Sequence, residues 1–406
     1  MRRLHMLSFV TRLERNDRRT LLTCFYAFFC SGLFTLSLGS VMPDLKASYG
    51  LSDSLSGVLL SVYSAGNLLA GLFSALVPLY LGQRRAIMLL GFLAVLGYLL
   101  MILTGSPLAL LVAFLMIGFG KGSLTNFNNR MVNQLTGGSP AAANILHASF
   151  AVGAVAAPMV FLALRNAVSW PVGLSVLIVC GCASTALFGR MRLREDRPRR
   201  QDRVNRTLVF MKNLSFLILA MMMFCYLCSE YSVNGWLVTY LQSREDLAQA
   251  LAGMGGLTGF SQSMASLLWM TMLVGRLICA ALTSRIRQKH LMLVSSMGAA
   301  CFYLLLLQSG SLTMVAAAVA GLGLSMAGIC PMIYSDAAPF TNAYPMATSI
   351  LLGFGSAGAM MMSTLVGALA ERFGFTGGMS AILAAFALLV VFALLNVVVK
   401  TRKPQV

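Results

Sequence analysis

Acidic side chains are scarce in this chain. Twelve Asp and Glu stand against thirty Lys and Arg in 406 residues, and charged residues of either sign make up only 10%. A soluble domain carries about 25% charged residues. A chain that is 58% hydrophobic, with a mean hydropathy of +0.81, cannot hide its apolar surface in water. Soluble enzymes and soluble nucleic-acid binders are therefore excluded. Histidine is rarer still, at three, and no zinc-type His spacing accompanies the nine cysteines. Those cysteines lie inside apolar runs, Cys225-x-x-Cys228 among them, and read as small packing residues. No phosphate-binding P-loop is present, so ATP is not the expected energy source. No metal and no cofactor is expected.

Long apolar runs are abundant. A bilayer-spanning helix needs about 20 mostly apolar residues, and an open sheet cannot replace it in lipid. Twelve such runs lie near 21–43, 54–80, 86–104, 108–129, 141–163 and 172–189, then 213–241, 257–282, 291–308, 312–335, 345–370 and 377–399. Turn chemistry separates several of them: Ser106-Pro107, Gly137-Gly138-Ser139-Pro140, Ser309-Gly310 and Gly377-Gly378. The first run is itself of spanning length and no cleavage site follows it, so no signal peptide is expected. The prediction is an all-α polytopic membrane protein.

The basic residues then fix the orientation. With the N-terminus in the cytoplasm, about 24 of them fall on the inside and four, Lys46, Arg165, Arg244 and Arg372, on the outside. Lys121 and Arg276 lie within spans. The long polar stretch 190–212 reads as a basic cytoplasmic linker between two six-span halves, 1–189 and 213–406. Its charge suits anionic lipid better than nucleic acid.

The two halves repeat. At an offset of about 205 residues the fifth and eleventh spans align, matching Pro140 with Pro345, Ile145-Leu146 with Ile350-Leu351, and Gly153-Ala154 with Gly358-Ala359. LGQRRAIML and SRIRQKHLML both place a basic knot between spans. The aligned spans differ where they are polar, since Asn144 stands opposite Ser349 and His147 opposite Leu352. A copy that has acquired an Asn and a His points to a role beyond packing.

Twelve spans in a 6+6 plan with a basic second-to-third loop resemble the major facilitator superfamily over the whole chain. Four stretches resemble the fucose/galactose/glucose:proton symporter group: Gly118-Phe-Gly120-Lys-Gly122 followed by Asn129; Asn144-Ile-Leu-His147-x-x-Phe150-x-x-Gly153-Ala154 leading to Pro158; Glu230-x-x-x-Asn234-Gly235-Trp236 followed by Tyr240; and Val274-Gly275-Arg276. The resemblance implies two pseudo-symmetric halves, a midplane solute site and a gate at Arg84 and Arg85. Two features depart from it. The second-to-third loop lacks the acid that usually precedes Gly-x-Arg-Arg, so the gate must close another way. The first span has no carboxylate before Asp44, and the fourth offers Lys121, Thr125 and Asn126 instead.

An ionisable group inside a span is costly and reads as functional. Of the twelve acids only Glu230 lies clearly within one, in the outer half of the seventh span. It is the expected proton carrier or solute hydrogen-bond acceptor; a structural carboxylate paired with a neighbouring cation is the alternative. His147, with Asn144 three residues before it on the same helical face, is the second proton-coupling candidate, or else a hydrogen-bonded core residue. Asn126, Asn129, Asn234 and Trp236 complete the expected solute site. A sugar's C–H face stacks on a ring while its hydroxyls need amides and carboxylates. Trp236 also suits an interfacial aromatic belt, as Tyr240 does. Lys121, Arg276 and Asp336 are gating candidates, with Asp336 as a partner for either cation.

The expectation is a secondary transporter of the bacterial inner membrane, both termini cytoplasmic and active as a monomer. It moves a small polar solute, a sugar, by proton-coupled symport. Proton-linked efflux of amphipathic compounds, favoured by the missing acids and by Met221-Met222-Met223 and Met360-Met361-Met362, is the alternative, and a non-transporting sensor a third.

Overall fold

The computed structural model describes residues 13–137, 139–191, 208–251, 256–283 and 285–399, and every regular element among them is helical. The first six long helices are α1 (Arg15–Tyr49), α2 (Asp53–Leu81), α3 (Gln83–Leu103), α4 (Pro107–Leu135), α5 (Pro140–Ala167) and α6 (Trp170–Gly189). Then follow α7 (Leu214–Gln242), α8 (Gly256–Leu282), α9 (Gln288–Gln308), α10 (Leu312–Met326), α11 (Ile329–Asp336) and α12 (Pro345–Val398). Most of the linker predicted at 190–212 lies outside the described residues.

Helix α12 has 54 residues. At 1.5 Å per residue that is about 80 Å, far more than a hydrocarbon core of about 30 Å. It is broken at Gly374, whose φ of 74° and ψ of 171° no helix contains, so it supplies two spans. Conversely, α10 and α11 together form one apolar run, Leu312–Asp336. Among the described residues the count is twelve spans. Helix ends follow local chemistry: Ser139 accepts from the Ala142 N–H ahead of α5, and Asn213 accepts from the Ser215 N–H ahead of α7. The break expected at Gly377-Gly378 lies instead at Gly374. Gly378 stays helical, and a Cβ there would sit 2.6 Å from the Val366 carbonyl, so its smallness serves close packing rather than a turn.

The chain forms two compact units, Met1–Val41 with Val62–Arg199, and Met42–Ser61 with Arg200–Val406. The second unit thus takes in the end of α1 and the start of α2. There the Lys46 ammonium pairs with Asp53 and lies 4.7 Å from the Phe375 ring centroid. The Ser54 N–H donates to Glu371 (3.0 Å), and the Ser61 hydroxyl bonds that of Thr364 (2.7 Å). None of these partners stands out in the sequence.

The repeat has a structural counterpart in each unit. A Cβ on Gly153 of α5 would lie 2.1 Å from the Phe29 carbonyl of α1; one on Gly358 of α12 would lie 2.4 Å from the Phe224 carbonyl of α7. Aligned glycines let the fifth span touch the first and the eleventh touch the seventh. The basic knots correspond too. Arg84 donates to the Gly189 carbonyl at the end of α6, and Lys289 donates to the Asn396 carbonyl near the end of α12 (2.9 Å). A helix C-terminus is a partial negative charge with unfilled acceptors. Arg84 therefore finds its partner in a helix end, where the family's usual acid is missing.

Candidate functional site

In the second unit, α7 carries a half-buried stripe: Phe224, Leu227, Glu230, Tyr231 and Asn234. The spacing of three and four residues is one helical face. Their neighbours Cys225, Tyr226, Cys228 and Ser229 are buried. Tyr226 and Cys330 of α11 each lie within electrostatic reach of both Glu230 and Arg276. Arg276 of α8 does not reach toward the end of its helix. Its Nη2 is 3.9 Å from Met272 Sδ and its Cζ is 5.8 Å from the Trp269 ring centroid. The Trp269 indole N–H in turn donates to Asn234 Oδ1 at 3.0 Å. Glu230, Asn234 and Arg276, which the sequence points to for different reasons, therefore belong to one constellation. Tyr226, Trp269 and Cys330 join it, and no signal in the sequence distinguishes them from other apolar-span residues.

Trp236 is placed elsewhere. Six residues from Glu230, at about 100° each, put it about 120° around the helix. It is fully buried, with its ring 5.9 Å from that of Phe375. Trp269, not Trp236, is the indole beside the polar stripe. Asp336 accepts from Asn396 Nδ2 at 2.9 Å, at the end of the tenth span.

The first unit holds a second group. Lys121 of α4 is buried at 7% exposure, with its ammonium 5.8 Å from the Phe150 ring. Phe150 packs 5.7 Å from Phe28, and His147 meets Phe28 edge-on at 5.4 Å. His147 and Asn144 are both exposed on α5, as Asn126 is on α4. Asn129 donates its amide to the Thr125 carbonyl of its own helix (2.9 Å) and lines a cleft of about 500 Å³ with Arg130, Asn133 and Ser139. It therefore faces different surroundings from His147. Between the two predicted amides, Asn128 is fully buried with neither amide atom hydrogen-bonded. Arg84 and Arg85 are exposed. Among the described residues no group of three His, Cys, Asp or Glu could hold a metal ion.

A family model described as Major Facilitator Superfamily matches residues 24–339. The membrane protein MosC of Rhizobium meliloti is 23% identical over 355 residues, covering 86% of this chain and 83% of that protein. An uncharacterized MFS-type transporter of Yersinia pestis is 29% identical over 132 residues, 32% of this chain and 34% of its own. Among solved structures, the nucleoside transporter NupG superposes with a TM-score of 0.74 at 14% identity, over 95% of this chain and 99% of its own. The peptide transporter POT in complex with sulfate gives 0.74 at 15% identity, over 93% of each chain. Twelve apolar spans, a repeat legible in both units and a family match over most of the length agree: this chain is a multi-pass membrane transporter, not an enzyme, and it belongs to the Major Facilitator Superfamily.

Proposed function

We propose that the protein is a proton-coupled symporter that takes up a small polar solute, a sugar or a close chemical relative, by alternating access across the bacterial inner membrane with both termini in the cytoplasm. One observation carries this reading. Glu230, the one acid that the sequence places well inside an apolar run, lies on the half-buried stripe of α7, beside Tyr226, which is within electrostatic reach of both Glu230 and Arg276. An acid kept in a low-dielectric span at such cost is a natural proton carrier. Asn234 and Trp269 supply the amide and the ring that a sugar needs beside it. His147 and Asn144 are the corresponding polar groups of the first unit, with Lys121 close to Phe150. The stretches shared with the fucose/galactose/glucose:proton group support a sugar-like solute, and monomeric action is part of the reading.

The efflux alternative draws on the Met triplets. Met222, Met223 and Met362 are buried, Met221 and Met360 are half-buried, and Met361 is exposed.

The test is uptake of a labelled monosaccharide panel into proteoliposomes, with and without an inward proton gradient, for the native protein and Glu230→Gln. Gradient-stimulated uptake that disappears in Glu230→Gln is the expected result. Equal stimulation in the variant would move coupling to His147 and overturn the role given to Glu230.

A further inference from the structure

We propose that the transported solute carries a carboxylate and that Arg276 is the residue that binds it; the proposal rests on the proton-coupled reading of Glu230. The sequence suggests a gating cation at the end of α8, but the side chain is turned back along its helix to Met272 and Trp269. Trp269 is itself anchored to Asn234, so the guanidinium is held beside the stripe of α7 that carries Glu230. Among the described residues of the second unit, few other charged side chains belong to the helices packed on α7. Tyr226 and Tyr231 flank it on α7, and Cys330 and Tyr334 belong to the packed helix α11. Helix α12 has no charged side chain between 345 and 370. Lys212 and the Arg244–Asp246 pair stand at opposite ends of α7.

Within a span a balanced pair is tolerated and an unbalanced charge is not. The charges of ionised Glu230 and of Arg276, both sensed by Tyr226 and Cys330, cancel in sum. When Glu230 takes a proton its carboxylate becomes a neutral acid, and Arg276 is left one positive charge in excess. A neutral sugar leaves that excess in place. A solute carboxylate removes it by accepting two parallel N–H bonds from the guanidinium, the geometry for which Arg is preferred over Lys. Asn234, half-buried on the same stripe, remains for a polyhydroxy body. The substrate class is thus a sugar acid, an aldonate or uronate. On release the anion leaves Arg276, Glu230 returns its proton to the receiving side, and the original charge balance returns. One proton and one monovalent anion cross together, with no net charge moved.

The experiment uses the purified full-length chain in proteoliposomes, with labelled glucose and glucuronate as probes. Each is driven first by an inward proton gradient with the membrane potential clamped at zero, then by a negative-inside potential alone. Glucuronate should accumulate on the proton gradient and show no response to the potential, while glucose does not accumulate. Arg276→Gln should lower glucuronate uptake at least about tenfold, the size of one lost charged hydrogen bond. Arg276→Lys, the safer variant for folding, should raise KM with kcat nearly kept. Glu230→Gln should keep glucuronate exchange but lose accumulation. Proton-driven uptake of glucose alone, potential-driven uptake of glucuronate, or glucuronate uptake unchanged in both Arg276 variants would overturn the inference and leave the symport reading standing. Absence of proton-driven flux for both probes would overturn both.

Discussion

The indole N–H of Trp269 donates to the side-chain oxygen of Asn234 at 3.0 Å, joining α8 to the polar stripe of α7. The bond fixes the amide's orientation, with its NH2 left for a solute, and holds the ring over which Arg276 lies. A neutral hydrogen bond contributes about 1 kcal/mol, roughly a fivefold change in an equilibrium constant. Trp269→Phe keeps the ring and removes the donor. Its KM for the transported solute should rise about fivefold, with kcat and thermal stability changed less; initial-rate uptake in proteoliposomes measures this. A loss confined to stability would assign the pair to packing alone.

The matched glycines make a sharper test of the repeat. Gly153→Ala and Gly358→Ala each place a methyl against a backbone carbonyl that cannot rotate away. Each should destabilise by about 1–3 kcal/mol, the usual cost of overpacking. At Gly353, on the same helix as Gly358, an added methyl would have no neighbour within 4 Å. Gly353→Ala should therefore stabilise slightly, by about 0.4–1 kcal/mol. Thermal unfolding in detergent separates the two signs.

Arg84 and Lys289 perform the same task in different units, each donating to a carbonyl near a helix end. Removing a cation from a helix C-terminus costs about 0.3–1 kcal/mol. Arg84→Ala and Lys289→Ala should each produce a loss of this size. The double variant should show their sum within about 0.5 kcal/mol, because the sites share no partner. A clearly larger loss in the double variant would show coupling between them.

Two carboxyl groups outside the apolar runs should set the acid limb of stability. Hydrogen bonds from the Ser54 side chain and backbone hold Glu371 below its ordinary 4.5. The hydrogen bond from Arg244 likewise holds Asp246 below 3.8. A group whose folded pKa is depressed contributes stability that is fully present above its unfolded pKa and is lost as pH falls through its folded one. Thermal stability should therefore hold from neutral pH down to about pH 5 and decline below about pH 4. Glu371→Gln and Asp246→Asn should each make that decline shallower. Identical acid limbs in the native protein and both variants would refute these assignments.

Much of this architecture follows from local chemistry. An apolar run of some 20 residues in lipid has no choice but to be a helix, so the twelve spans, the turn at Ser106-Pro107 and the family could be read from the chain alone. Glu230 was legible for the same reason, because an acid in such a run has no bland explanation. The helices nevertheless start earlier and end later than the apolar runs, as α1 does at Arg15 and Tyr49, since hydropathy reports the lipid contact and not the helix. Contacts between spans are another matter. Which of three indoles stands beside Asn234, that Arg276 turns back rather than reaching its helix end, that Lys121 is buried by Phe150, and that Arg84 meets a carbonyl instead of an acid all depend on how helices rotate and slide against one another. In an apolar span nearly every face is hydrophobic, so the amphipathic pattern that orients a soluble helix is weak. Rotation is set by packing of small residues such as Gly153 and Gly358, and only the assembled helices reveal it.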